Sequence, residues 1–75
     1  MKALEEIKDM VNAELRLDIN SKTRKAQYVY ARTVYYRLCK EFTGYSLYTI
    51  AGVLKKNHAT VLHGLKMFNR FKLQP

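Results

Sequence analysis

The apolar residues of this chain recur at spacings of three and four, and no stretch alternates apolar with polar as a half-buried strand does. Leu4, Ile7, Met10/Val11 and Leu15 make one stripe, with Glu5, Glu6, Lys8 and Asp9 opposite, so residues 3–15 are expected to form an amphipathic packing helix. Its early carboxylates suit the positive end of a helix dipole. The stretch RLDINSKT at 16–23 breaks the rhythm and reads as a connector, with Leu17 and Ile19 turned inward and Ser21 or Thr23 capping the next helix. A second and longest helix is expected from Arg24 to Phe42, with Ala31, Val34, Tyr35, Leu38 and Phe42 inward. Thr43-Gly44 ends it, the glycine supplying a left-handed residue. Ser46 caps a third helix reaching Leu54, with Leu47, Ile50, Ala51 and Leu54 as its apolar face. Lys55, Lys56 and Asn57 then form a tight turn. The fourth helix starts at His58, with Val61, Leu65 and Phe68 inward, Ala59, His63, Lys66 and Arg70 outward, and Leu62 and Phe71 left open. Gly64 falls inside that helix, where glycine costs ~1 kcal/mol against alanine, and close approach of a neighbouring helix would explain it. The expected fold is all-α, four helices in one domain over residues 1–75.

Charge narrows the partner. Residues 1–18 carry three basic and five acidic side chains, whereas residues 19–75 carry eleven basic ones against Glu41 alone. Such a field steers polyanions toward one part of the molecule. An anionic membrane is the weaker candidate, because no helix joins a wide apolar face to a basic one. No apolar run approaches the ~20 residues of a membrane span. The acidic, amphipathic MKALEEIKDM is unlike a secretory signal. With one cysteine, Cys39, no intramolecular disulfide can form, and a cytoplasmic, nucleoid-associated location is expected. An enzyme needs a nucleophile with its base, paired carboxylates or a metal cluster. Six acidic residues, five of them in the first eighteen, assemble none of these. No cofactor is called for.

Two helices joined by a basic turn, in SLYTIAGVLKKNHATVLHGLKMFNR at 46–70, have the order of a helix-turn-helix. That motif lays its second helix in the DNA major groove, with the N-terminal residues of the helix at the base edges. Here those residues are Asn57, His58, Ala59 and Thr60, with His63 one turn on.

Three segments then carry a resemblance: SKTRK at 21–25, YARTVYYRLCKEFTGYSLYTIAGVL at 30–54 and NHATVLHG at 57–64. Together they resemble the C-terminal DNA-binding domain of DnaA, the bacterial chromosomal replication initiator. That family has a basic S-K-x-R stretch, an alanine-arginine helix closing on leucine-threonine, a "SL..IG..F" helix and a DHTTV-x-H-A signature opening its recognition helix. The likeness runs over essentially the whole chain. It implies a Trp-repressor-like helix-turn-helix that reads short asymmetric boxes in double-stranded DNA as a monomer, in replication initiation or its regulation. By this likeness Arg24 corresponds to an arginine that enters the minor groove, Arg32 to a second arginine approaching the DNA, and Lys40 to a phosphate-contacting lysine. Asn57, His58, Ala59 and Thr60 fall on D-H-T-T, and His63 on the later histidine.

Three departures stand out. Asparagine replaces the aspartate, alanine replaces the first threonine, and the family's glycine-glycine-arginine becomes Lys55-Lys56, one residue shorter. Aspartate accepts from cytosine, whereas asparagine pairs with adenine, and alanine keeps some apolar contact with a thymine methyl. The preferred sequence is therefore expected to drift. The chain has no G-x-x-x-x-G-K-[ST] loop, so no nucleotide partner is expected, and it corresponds either to a fragment or to a freestanding relative.

Each candidate has a plainer reading beside it. Asn57 serves as an N-cap, a base contact, or both. His58, on an exposed first turn, has little to pack against and is assigned to DNA. Thr60 bonds a phosphate or its own helix start. Ser46 adds a hydroxyl beside the same turn, and Lys25 joins Lys22 and Arg24 in a basic arm of the kind that suits a narrow minor groove. Lys55 and Lys56 suit phosphates, and Lys66 and Arg70 either extend that contact or are solvated. His58 and His63 have no nearby third ligand for a metal. The tyrosines are read as packing rather than as stacking platforms for single strands. The alternative to box reading is a protein-interaction module, or a transcription regulator with altered or lost specificity.

Overall fold

The computed structural model describes the backbone from Lys2 to Leu73 and the side chains from Lys2 to Met67, so the expectations for Phe68, Arg70 and Phe71 lie outside the described residues. Four helices follow in order: α1 (Lys2–Leu15), α2 (Ala26–Phe42), α3 (Leu47–Val53) and α4 (His58–Leu73). No strand occurs among the described residues. Helix α2 is the spine and packs on each of the other three.

The core draws on every element. Leu4 and Val11 come from α1, Ile19 from the connector, Ala31, Tyr35, Tyr36 and Cys39 from α2, Ile50, Ala51 and Leu54 from the α3 segment, and Val61 from α4. Val34 and Leu38 pack at its edge. Phe42, expected inward, is 74% exposed, because α2 outruns the core at its last turn. Tyr36, absent from the expected stripe, is buried. Its ring meets Tyr35 edge-on at 5.7 Å and 64°, the arrangement that aromatic quadrupoles favour. Tyr35 also donates its hydroxyl to the Ile50 carbonyl at 3.2 Å, which ties α2 to α3. Burial pushes the Cys39 thiol up to about 11, so it is a packed thiol rather than a reactive thiolate.

Gly64 has the reason its position calls for. A Cβ there would stand 2.7 Å from Tyr36 Cδ2, so α4 can lie against α2 only with a bare backbone at that point.

The helix ends show where local rules won and lost. Ser46 caps α3 by accepting from the Thr49 N–H at 3.3 Å. Asn57 caps α4, its Oδ1 accepting from the Thr60 N–H at 3.0 Å. Helix α2 begins at Ala26, two residues later than expected, with Lys25 at the N-cap and neither Ser21 nor Thr23 capping it. Those hydroxyls instead accept from N–H groups two residues on, Ser21 from Thr23 and Thr23 from Lys25, holding residues 21–25 as an arm. Nor does a left-handed glycine close α2. Thr43 is extended at φ −131°, its hydroxyl donates to the Cys39 carbonyl at 2.6 Å, and no glycine has positive φ.

Two other residues are left-handed: Arg16 and Lys55, each at φ 56°. In both places the next N–H reaches five residues back, Leu17 to the Asn12 carbonyl and Lys56 to the Ala51 carbonyl. This is the Schellman closure, which prefers glycine at the left-handed position.

Candidate nucleic-acid interface

The connector turns sharply after α1 because Asn12 Oδ1 accepts from the Ile19 N–H at 2.9 Å while Ile19 plugs the core. The chain then runs along the start of α2 as the arm that carries Lys22, Arg24 and Lys25. One side chain fastens that arm. Arg32 is only 8% exposed, donates from Nε to the Ile19 carbonyl at 2.9 Å and from Nη2 to the carbonyls of Ser21 and Thr23. The family likeness sets Arg32 beside DNA. Within the fold its guanidinium donates to three backbone carbonyls, because a fork of rigid donors fits converging carbonyls and the buried charge needs them.

Pinning the arm makes a cleft of about 180 Å³ between α2 and α4. Arg24 and Arg32, Lys56 from the turn, and Thr60 and His63 from α4 line it together with Tyr36 and Gly64. No carboxylate is among its described lining residues. A second hollow of about 290 Å³ adjoins at Lys56 and adds Lys22 and Lys55. Five of the expected site residues therefore meet in one cleft, and a sixth lies next to it. Burial raises the Tyr36 hydroxyl above its ordinary pKa, with the Arg32 charge pulling the other way, and that hydroxyl finds no hydrogen-bond partner among the described residues.

Around the cleft, the first turn of α4 is solvent-exposed at Asn57, His58, Ala59 and Thr60, and His63 and Lys66 are exposed further along. Thr60 Oγ1 also lies 3.2 Å from Asn57 Oδ1, so the helix-start reading of Thr60 holds alongside any outward contact. Ser46, exposed, spends its hydroxyl on its own helix, at 3.2 Å from Thr49 Oγ1 as well as on the Thr49 N–H. Lys25 is exposed at the start of α2. Lys40 is exposed in the last turn of α2, one turn beyond Tyr36, and is not among the described residues that line the cleft. Arg37 pairs with Glu41 at 3.2 Å.

The fold and this arrangement of residues meet a known family at this point. The bacterial dnaA protein helix-turn-helix family matches residues 4–67. The chain belongs to that family. It is a DNA-binding helix-turn-helix family rather than a catalytic one. No solved structure matches the chain. The match ends within α4 and takes in α1, the arm, the turn and the exposed first turn of α4. Within the dnaA-type frame, α3 and α4 are the two helices of the motif, and Lys55-Lys56 is its turn. The lysine at φ 56° stands where the sequence likeness sets a glycine.

Sequence reasoning misses one neighbour in this region. Tyr48, in the first turn of α3, lays its ring on the His58 imidazole, with centroids 4.2 Å apart and planes 32° from parallel. His58, expected to have little to pack against, therefore has a partner. The signal for it is a large aromatic at an outward position of α3, ten residues before His58 across a turn of known handedness.

The described residues hold no group of three His, Cys, Asp or Glu side chains placed to bind a metal ion. No helix among them is long and apolar enough to cross a membrane.

Proposed function

We propose that this domain reads a short site in double-stranded DNA, related to but not identical with the boxes of the replication initiator. The observation that carries the reading is the cleft lined by Arg24, Arg32, Lys56, Thr60 and His63, with no carboxylate among its described lining residues, which opens beside the exposed, capped start of α4. A helix start in the major groove and an arm in the adjacent minor groove would place the phosphate backbone between them, and the cleft supplies cations there. In this reading Asn57, His58 and Ala59 meet base edges. Thr60 and His63 flank them, Arg24 enters the minor groove with Lys25 behind it, and Lys55 and Lys56 hold phosphates. Lys66 extends the phosphate track and Ser46 lies at its edge. Lys40 contacts a phosphate only if the duplex reaches the far end of α2. Arg32 acts through the arm, by fixing Arg24, rather than by touching DNA. The biological setting is replication initiation or its control, and the unit that binds is a monomer.

The test is titration of two duplexes, one with an initiator-type box and one scrambled, across a salt series. About five or six neutralised phosphates give a slope near −5 in log K against log salt. A preference for the box that persists at physiological salt supports the reading. Equal, steeply salt-dependent binding to both means that the departures at Asn57 and Ala59 have moved the specificity, and selection from random DNA then names the site. Absence of binding to either duplex contradicts the proposal and favours the interaction module.

A further inference from the structure

Resting on the reading of α4 as the groove helix, we propose that Tyr48 is a positioning residue for His58. It holds the imidazole in one orientation before DNA arrives, and so sets part of the sequence preference from outside the recognition helix. The backbone makes this possible. The Ser46 cap fixes the first turn of α3, and the Asn57 cap fixes the first turn of α4. The Schellman closure at Lys55 sets the angle between them. Tyr48 and His58 are thereby brought into a tilted ring contact, centroids 4.2 Å apart and planes at 32°, although both are exposed and Tyr48 keeps 68% of its surface.

An exposed histidine on a first helical turn otherwise samples several rotamers, and binding must then select one of them. A ring stacked on one face excludes the rotamers that leave it and directs the imidazole edge nitrogens away from the stack. Ordering one such side chain in advance is worth about two- to tenfold in the bound population of the correct contact. Tyrosine suits the task, since it is large, has few torsions and tolerates water at its hydroxyl end. The stack adds nothing to the core, so its place at the motif's mouth points to recognition rather than to stability.

Selection from random duplex DNA, followed by affinity measurements on the selected site and its single-base variants, tests this. The proteins are the wild-type chain, Tyr48→Ala, Tyr48→Phe, His58→Ala and the Tyr48→Ala/His58→Ala pair. The expected result is that Tyr48→Ala loses about two- to tenfold of discrimination at the base pairs that His58→Ala also relaxes, with an unchanged salt slope and an unchanged Tm. Tyr48→Phe keeps the wild-type preference, and in the His58→Ala background Tyr48→Ala has no further effect, because one residue acts through the other. Full retention of discrimination in Tyr48→Ala overturns the inference while leaving the DNA reading intact. Strictly additive effects overturn it as well, since Tyr48 would then touch DNA on its own account. If the wild-type chain selects no sequence at all, the reading of α4 fails and the inference falls with it.

Discussion

On one side of α2 lie Arg24, Lys56, Thr60 and His63, around a cleft with no carboxylate among its described lining residues. On the other side lie Met10, Leu15, Val34 and Leu38, in a groove of about 250 Å³ where Glu14 is the one charged residue among the described lining. A single helix furnishes both walls: Arg32, Thr33 and Tyr36 face the first, while Tyr30, Val34 and Leu38 face the second. A net charge of +8 attracts a polyanion without orienting it. Separation of charge about α2 does the orienting, since a duplex approaching the α1 side meets the acidic helix first. The two sides also differ in how their backbone is held. Both sides bury apolar residues and each has a Schellman turn, at Arg16 and at Lys55, but the α4 side adds the caps at Ser46 and Asn57 and one arginine holding an arm.

The largest effect should come from breaking that last device. Arg32→Ala leaves three carbonyls without their donor, which costs about 3 kcal/mol, and at 4–8 °C per kcal/mol for a domain of this size the Tm falls by more than about 12 °C. A thermal melt decides the matter. An unchanged Tm with weakened DNA binding would make Arg32 a surface contact and remove the contrast between it and Arg24.

Next in size is the α2–α4 contact that forms the cleft. Gly64→Ala drives a methyl into the buried Tyr36 ring, and overpacking of this kind costs about 1–3 kcal/mol, partly offset by alanine's better helix propensity. Gly52→Ala is the internal control. Nothing lies within 4 Å of its Cβ position, so that change should stabilise the domain by about 0.5–1 kcal/mol. Chemical denaturation of the two variants should give opposite signs.

Smallest and sharpest is Lys55→Gly. Relief of the left-handed lysine should raise stability by about 0.5–1 kcal/mol, while removal of a phosphate partner lowers the salt slope by about one. Tm up and slope down, in one variant, would separate the structural demand at this turn from its electrostatic use. If Lys55→Gly altered base preference instead, the assignment of Lys55 to a phosphate would be wrong.

How far the sequence can be read depends on the range of the forces. Four helices, the caps at Ser46 and Asn57, and the close approach at Gly64 are legible, because spacing, capping and glycine propensity act within a few residues. The end of α2 is not. A threonine hydroxyl closes it where a left-handed glycine is expected, and both are sound ways to satisfy carbonyls. Phe42 matches the stripe but falls one turn beyond the core, which only the lengths of the neighbouring helices determine. The role of Arg32 is hidden for a similar reason, since an arginine on a helix does not announce three carbonyls 9 to 13 residues upstream. Tyr48 and His58 meet only once the turn has closed.

If the two sides of α2 differ as proposed, DNA engages the α4 side and leaves the α1 side alone. Amide chemical shifts of the labelled chain, followed while a short duplex is titrated in, test this most directly. The expected shifts concentrate at Arg24 and Lys25, from Lys55 to Thr60 and at His63, with residues 3–15 unmoved. Shifts centred on Met10, Leu15, Val34 and Leu38, with the start of α4 silent, would contradict it.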